Sequence, residues 1–118
     1  MKEKDVTVLI EFLGDSPLVR ILDFLIGNLP LDAPKEEIIR KTGVSRTSFF
    51  AIWQRVEEYG LVKRTRKVGK SAMFALDTRS EIAQQLMKLE LELIRKSSPI
   101  SIAAHRQRNV RQRFSKRS

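Results

Sequence analysis

The side chains in this chain that could do chemistry are mostly cations, and they are grouped. Lys63, Arg64, Arg66, Lys67 and Lys70 sit between positions 63 and 70 with no acid among them. Arg95, Lys96, Arg106, Arg108, Arg111, Arg113, Lys116 and Arg117 sit between positions 93 and 118, again without an acid. Cations crowded this way suit a polyanion, because each phosphate they neutralise releases condensed counterions. Nucleic acid is the first candidate and an anionic membrane the second. The bland readings are a solubilising tail for the second block and a lysine-guarded sheet edge for the first. Five cations without one acid exceed what edge protection needs.

A third set lies upstream. Ser45, Arg46, Thr47, Ser48, Phe50, Ala51, Gln54 and Arg55 remain on the free side of a helix once Phe49, Trp53 and Val56 are assigned to the core. Arg46 and Gln54 carry the donors that pair with guanine or adenine, and Thr47 and Phe50 offer apolar surface to a thymine methyl. Ser45 and Ser48, near the helix start, suit phosphate alongside free backbone amides, and Arg55 suits the flanking backbone. On an ordinary solvated helix, Phe50 would be an exposed aromatic without a role. Trp53 reads as core.

Catalytic and metal chemistry is thin. The chain has no cysteine, which removes disulfides, thiolate metal sites and cysteine nucleophiles together. His105 stands alone in the basic tail. Glu36-Glu37 and Glu57-Glu58 are neighbours on helices, so each pair diverges and forms no carboxylate dyad. No P-loop, dinucleotide fingerprint or metal-spaced histidine set is present. Neither an enzyme, a cofactor nor a metal is expected.

The elements that must position these groups follow from periodicity and turn residues. Val6 to Leu13 reads as a strand, stopped by Gly14-Asp15. Apolar on both faces, it has to be covered. Ser16-Pro17 caps and opens a helix with Leu18, Ile21, Leu22 and Leu25 on one face, running to Gly27-Asn28. The next helix is expected to start near Asp32 or Ala33 with Pro34 in its first turn. Its Glu36 and Glu37 suit the positive end of the dipole, and Ile38 and Ile39 face inward. Gly43 ends it. Ser45 then caps a helix carrying Phe49, Ile52, Trp53, Val56 and Tyr59 on one face and ending at Gly60. Leu61–Arg66 and Ser71–Leu76, around Lys67 to Lys70, read as a β-hairpin. Thr78 to Glu81 reads as a capping box for a long helix. In that helix Ile82, Leu86, Leu89 and Leu93 make a two-heptad seam, widened by Ala83, Met87 and Ile94. Ser97-Ser98-Pro99 stops it, and the arginine-rich end is expected to be disordered when unbound.

Glu36-Glu37-Ile38-Ile39-Arg40-Lys41-Thr42-Gly43-Val44-Ser45-Arg46-Thr47-Ser48 looks like a helix-turn-helix core. Val56-Glu57-Glu58-Tyr59-Gly60-Leu61-Val62 looks like the end of a recognition helix entering a hairpin. In this order and spacing, followed by a basic hairpin, the chain resembles winged helix-turn-helix regulators of the ArsR and MarR type over about residues 16–97. The expected fold is α+β, mainly α: an N-terminal strand (1–15), a DNA-binding domain with a β-hairpin wing (16–77), a C-terminal dimerisation helix (78–97) and a basic tail (98–118), the two middle parts being what the resemblance implies. The resemblance implies double-stranded DNA as partner, with the recognition helix in the major groove and the wing on the backbone or minor groove. It also implies a homodimer through Ile82, Leu86, Leu89 and Leu93. Metal-sensing ArsR regulators use cysteine and histidine clusters, and this chain departs from that pattern.

Size and charge agree with one small domain and basic appendages. The 118 residues are 42% hydrophobic with a formal charge of +9, of which residues 1–92 contribute +1 and residues 93–118 contribute +8. No apolar run approaches the roughly 18–20 residues that cross a bilayer, and no signal-peptide cleavage pattern follows Met1. A cytoplasmic, nucleoid-associated protein is expected. The leading function is a sequence-specific transcription regulator. The competing ones are an architectural or plasmid-partition protein that coats DNA, and an RNA-binding or protein-docking winged helix.

Overall fold

A computed structural model describes residues 6–97 of the chain. The expectations for the tail, 98–118, lie outside those residues. Among the described residues five helices and three short strands follow one another in the order α1 (Val8–Leu13), α2 (Pro17–Gly27), β1 (Ala33–Pro34), α3 (Lys35–Thr42), α4 (Arg46–Glu58), β2 (Val62–Val68), β3 (Ser71–Leu76) and α5 (Glu81–Lys96). The class is α+β and mainly helical. The sheet is antiparallel in the order β1-β3-β2.

The N-terminal segment corrects the strand expected there: it is helix α1. Thr7 caps it, its hydroxyl oxygen accepting from the Ile10 amide at 3.3 Å while its O–H donates to Asp23 Oδ1 of α2 at 2.9 Å. Gly14, at φ +102°, ends it. The β-branched residues gave the segment a strand propensity, but burial of Leu9 among α2 and α5 decides the outcome.

The link into α3 is a second correction. Ala33 and Pro34 do not open the helix; they pair with Phe74 and Met73 of β3, and α3 starts at Lys35. Asp32 does not cap it because its carboxylate is taken by Thr65 and Arg66 of β2. The other end agrees with the sequence. Gly43 is left-handed at φ +74°, and Arg20 of α2 closes the turn by donating to the Thr42 carbonyl at 2.9 Å.

Trp53 of α4 is at the centre of the core, stacked on Phe49 with centroids 5.1 Å apart and edge-on to Phe74 of β3 at 5.4 Å. Ile21, Leu25, Ile38, Val56, Leu76 and Ala83 pack around this aromatic group, so one core joins α2, α3, α4, β3 and α5. Tyr59, expected on the inner face of α4, is 62% exposed at the C-cap, and Leu61 fills that place instead. The helical expectation failed there because Gly60, at φ +71°, redirects the chain one residue later.

The hairpin forms with a two-residue turn at Gly69-Lys70, where only the glycine has positive φ (+62°). That is the type II′ requirement, met by glycine at the first central position. The cap of α5 is Ser80, which accepts from the Ala83 amide at 3.1 Å, and not Thr78. Asp77 forestalls the expected box: its side chain accepts from the Arg79 amide at 3.0 Å and its carbonyl from the Ser80 amide at 2.9 Å, a turn that delays the helix.

Candidate nucleic-acid interface

Helix α4 presents the set singled out by sequence. Ser45 caps it, accepting from the Ser48 amide at 3.1 Å. Phe49, Trp53 and Val56 point into the core, which leaves Arg46, Thr47, Phe50, Ala51, Gln54 and Arg55 exposed and Ser48 half-buried. Phe50 is 42% exposed, braced edge-on by Phe49 at 5.1 Å. Gln54 reaches the Glu58 carboxylate at 3.5 Å, one turn on.

Two residues of the neighbouring α3, Lys35 and Glu36, complete this face, and nothing in their local sequence marks them for it. Arg46 Nη1 donates to Glu36 Oε1 at 2.7 Å and to Oε2 at 2.9 Å. Its guanidinium also lies 5.4 Å from the centre of the Phe50 ring. Lys35 Nζ lies 5.8 Å from the Phe50 ring and 5.4 Å from the Phe74 ring. A ten-residue separation across a turn carries no periodic signal, so only the packed helix pair brings Glu36 to Arg46.

The hairpin divides its five cations. Arg64 stands opposite Phe74 and Lys67 opposite Ala72, so both share the sheet face that turns toward α4. A β-bulge between Arg64 and Arg66 puts Thr65 and Arg66 together on the other side. There Thr65 Oγ1 donates to Asp32 Oδ2 at 2.6 Å, and Arg66 donates through Nε to Oδ2 at 2.9 Å and through Nη2 to Oδ1 at 3.1 Å. These donors lower the Asp32 pKa from its ordinary 3.8 to about 2. Arg66 is thus engaged as an anchor of the hairpin, whereas Lys63, Arg64, Lys67 and Lys70 are exposed and have no anionic partner among the described residues. A groove of about 590 Å³ lies beside the hairpin at the start of α3, lined by Lys35, Glu36, Arg64, Ala72 and Phe74 among others, with Glu57 as its one residue from α4.

Of the seam on α5, Ile82 is 44% exposed while Leu86, Leu89 and Leu93 are half-buried. The fully buried residue is Ala83, about a quarter turn round the helix from that seam at 3.6 residues per turn. Leu86 and Met87 pack on the core. Phe12 and Leu13 of α1 and Leu91 and Ile94 of α5 add further exposed apolar surface.

Among the described residues, no group of histidine or acidic side chains is placed to hold a metal, and no helix is long and apolar enough to cross a membrane. No protein-family model matches the chain, and comparison with the curated proteins and with the solved structures finds no match.

Proposed function

We propose that the chain is a sequence-specific, double-stranded-DNA-binding transcription regulator of the winged helix-turn-helix type, acting as a homodimer. In this reading α3 and α4 are the helix-turn-helix, α4 enters the major groove, and β2–β3 is the wing on the backbone or minor groove. The observation that carries it is the meeting of α4 and the hairpin around Lys35, whose ammonium lies against both Phe50 and Phe74. Lys35 thus links the exposed Phe50 of α4 to the sheet face bearing Arg64 and Lys67, and Arg64 lines one groove with Lys35 and Glu36. Such an arrangement offers base-reading side chains and phosphate-neutralising ones to the same duplex. The exposed apolar residues of α1 and α5 would be covered by a second copy, as Ile82, Phe12, Leu91 and Ile94 are each more than 40% exposed among the described residues.

The test is titration of the full chain against a duplex enriched from a randomised pool and against a scrambled duplex. A regulator prefers the enriched site by about 10³ or more. Equal affinity for both duplexes would favour an architectural coating protein instead. Retained binding in Arg46→Ala with preference for RNA would favour an RNA-binding winged helix.

A further inference from the structure

Arg46 is the first residue of α4, so its Cα is fixed by the Ser45 cap, and its side chain is fixed at two further points. Glu36 engages only Nη1, through both carboxylate oxygens. Phe50 lies beneath the guanidinium at 5.4 Å and is itself held by Phe49. Among the described residues nothing takes the Nε and Nη2 hydrogens. Those two N–H groups form one edge of the planar fork, the geometry that matches O6 and N7 of guanine. A long side chain already paired in this way loses less rotamer freedom on meeting a base than an unpaired one.

Resting on the DNA-binding reading above, we infer that Glu36 is a positioning residue for base readout. It holds Arg46 by one nitrogen so that the opposite edge reads a guanine, while Phe50 beside it meets the methyl of a thymine in the adjacent base pair. Both groups project from one turn of α4, so they address neighbouring base edges, as guanine acceptors and the thymine methyl lie in the same groove. Glu36 sits in the first turn of α3 beside Lys35, where the positive end of the helix dipole favours a carboxylate. That charge repels the phosphates of every duplex alike, and the positioned Arg46 offsets the cost only where it meets the guanine. Glu36 therefore works against random DNA and for the chosen site.

The experiment uses the full chain and a pool of duplexes with a randomised centre. The enriched duplex contains a guanine flanked by thymine. Replacing that guanine with 7-deazaguanine, which lacks N7, weakens binding to the unsubstituted chain but not to Arg46→Ala. Replacing the thymine with uracil weakens binding by about fourfold, the effect of one lost methyl, and Phe50→Ala abolishes that sensitivity. Glu36→Ala tightens binding to scrambled duplex yet lowers the enriched-to-scrambled ratio by about three- to tenfold, and Glu36→Gln, which keeps an acceptor oxygen, lies between. A charge effect alone would raise both affinities and leave the ratio unchanged. An unchanged or higher ratio in Glu36→Ala, or an enriched duplex without the guanine–thymine pair, overturns the inference and leaves DNA reading by α4 standing. A pool that shows no enrichment at all overturns that reading as well.

Discussion

Arg66 and Asp32, 34 positions apart, are joined side by side, Nε to Oδ2 at 2.9 Å and Nη2 to Oδ1 at 3.1 Å, and this pair ties β2 to the segment that leads into α3. The sign of its pH dependence follows from the lowered Asp32 pKa. A carboxyl at about 2 in the folded chain and 3.8 ordinarily adds stability that is complete above about pH 4 and is lost as pH falls through 2. Amide exchange of β2 should accelerate over that window, and Asp32→Asn should show fast exchange at neutral pH and no acid step. Equal protection in the two proteins would mean the pair does not hold the hairpin.

The same pairing separates the cations of the hairpin by their salt dependence. Lys67→Ala should lower the slope of log affinity against log salt by about 0.9, one phosphate contact, whereas Arg66→Ala should lower it less. Arg66→Ala should instead loosen β2, visible as faster exchange at Thr65 and Lys67. A larger slope change for Arg66 than for Lys67 would reverse the assignment.

On α5, residues that cover a partner and residues that cover the core should respond differently. Ile82→Glu with Leu89→Glu is expected to give a folded monomer by sedimentation at micromolar concentration. Leu86→Glu, set against the core, is expected to cost about 1–3 kcal/mol of stability in chemical denaturation. An unsubstituted chain that already sediments as a monomer would dispose of the dimer.

Caps give a direct check on where α5 begins. Ser80→Ala should cost about 1 kcal/mol, because the Ala83 amide loses its acceptor. Thr78→Ala should stay within about 0.5 kcal/mol, as its side chain caps nothing. The reverse order, read from thermal melts, would restore the capping box.

Glu90 on α5 has its pKa raised, first by burial and then by the nearby Asp23 charge, and burial raises Asp23 too. A carboxyl whose folded pKa is raised contributes stability below its ordinary pKa and loses it as pH rises through the folded value. Glu90→Gln should therefore raise the melting temperature at pH 7 by about 1–3 °C, allowing for solvent screening, and change little at pH 4. A lower melting temperature at pH 7 would contradict burial as the main cause.

Much of the fold was legible because its signals are local. Ser16-Pro17, Ser45 and Gly43 cap or stop helices through bonds within four residues, and Gly69 supplies the one positive φ that the hairpin turn needs. The spacing of Phe49, Trp53 and Val56 alone identified the buried side of α4, and so the exposed one. Tertiary structure decided the rest, wherever a residue's partner lies far along the chain. Val8 to Leu13 became a helix because α2 and α5 bury Leu9, and Ala33-Pro34 became a strand because β3 supplies its partners. Arg66 turned from the groove to Asp32 because a bulge flips the alternation of β2. Arg46 acquired Glu36 because two short helices meet across Gly43. Periodicity tells which way a side chain points from its own element, but only the packing of elements decides what stands opposite it.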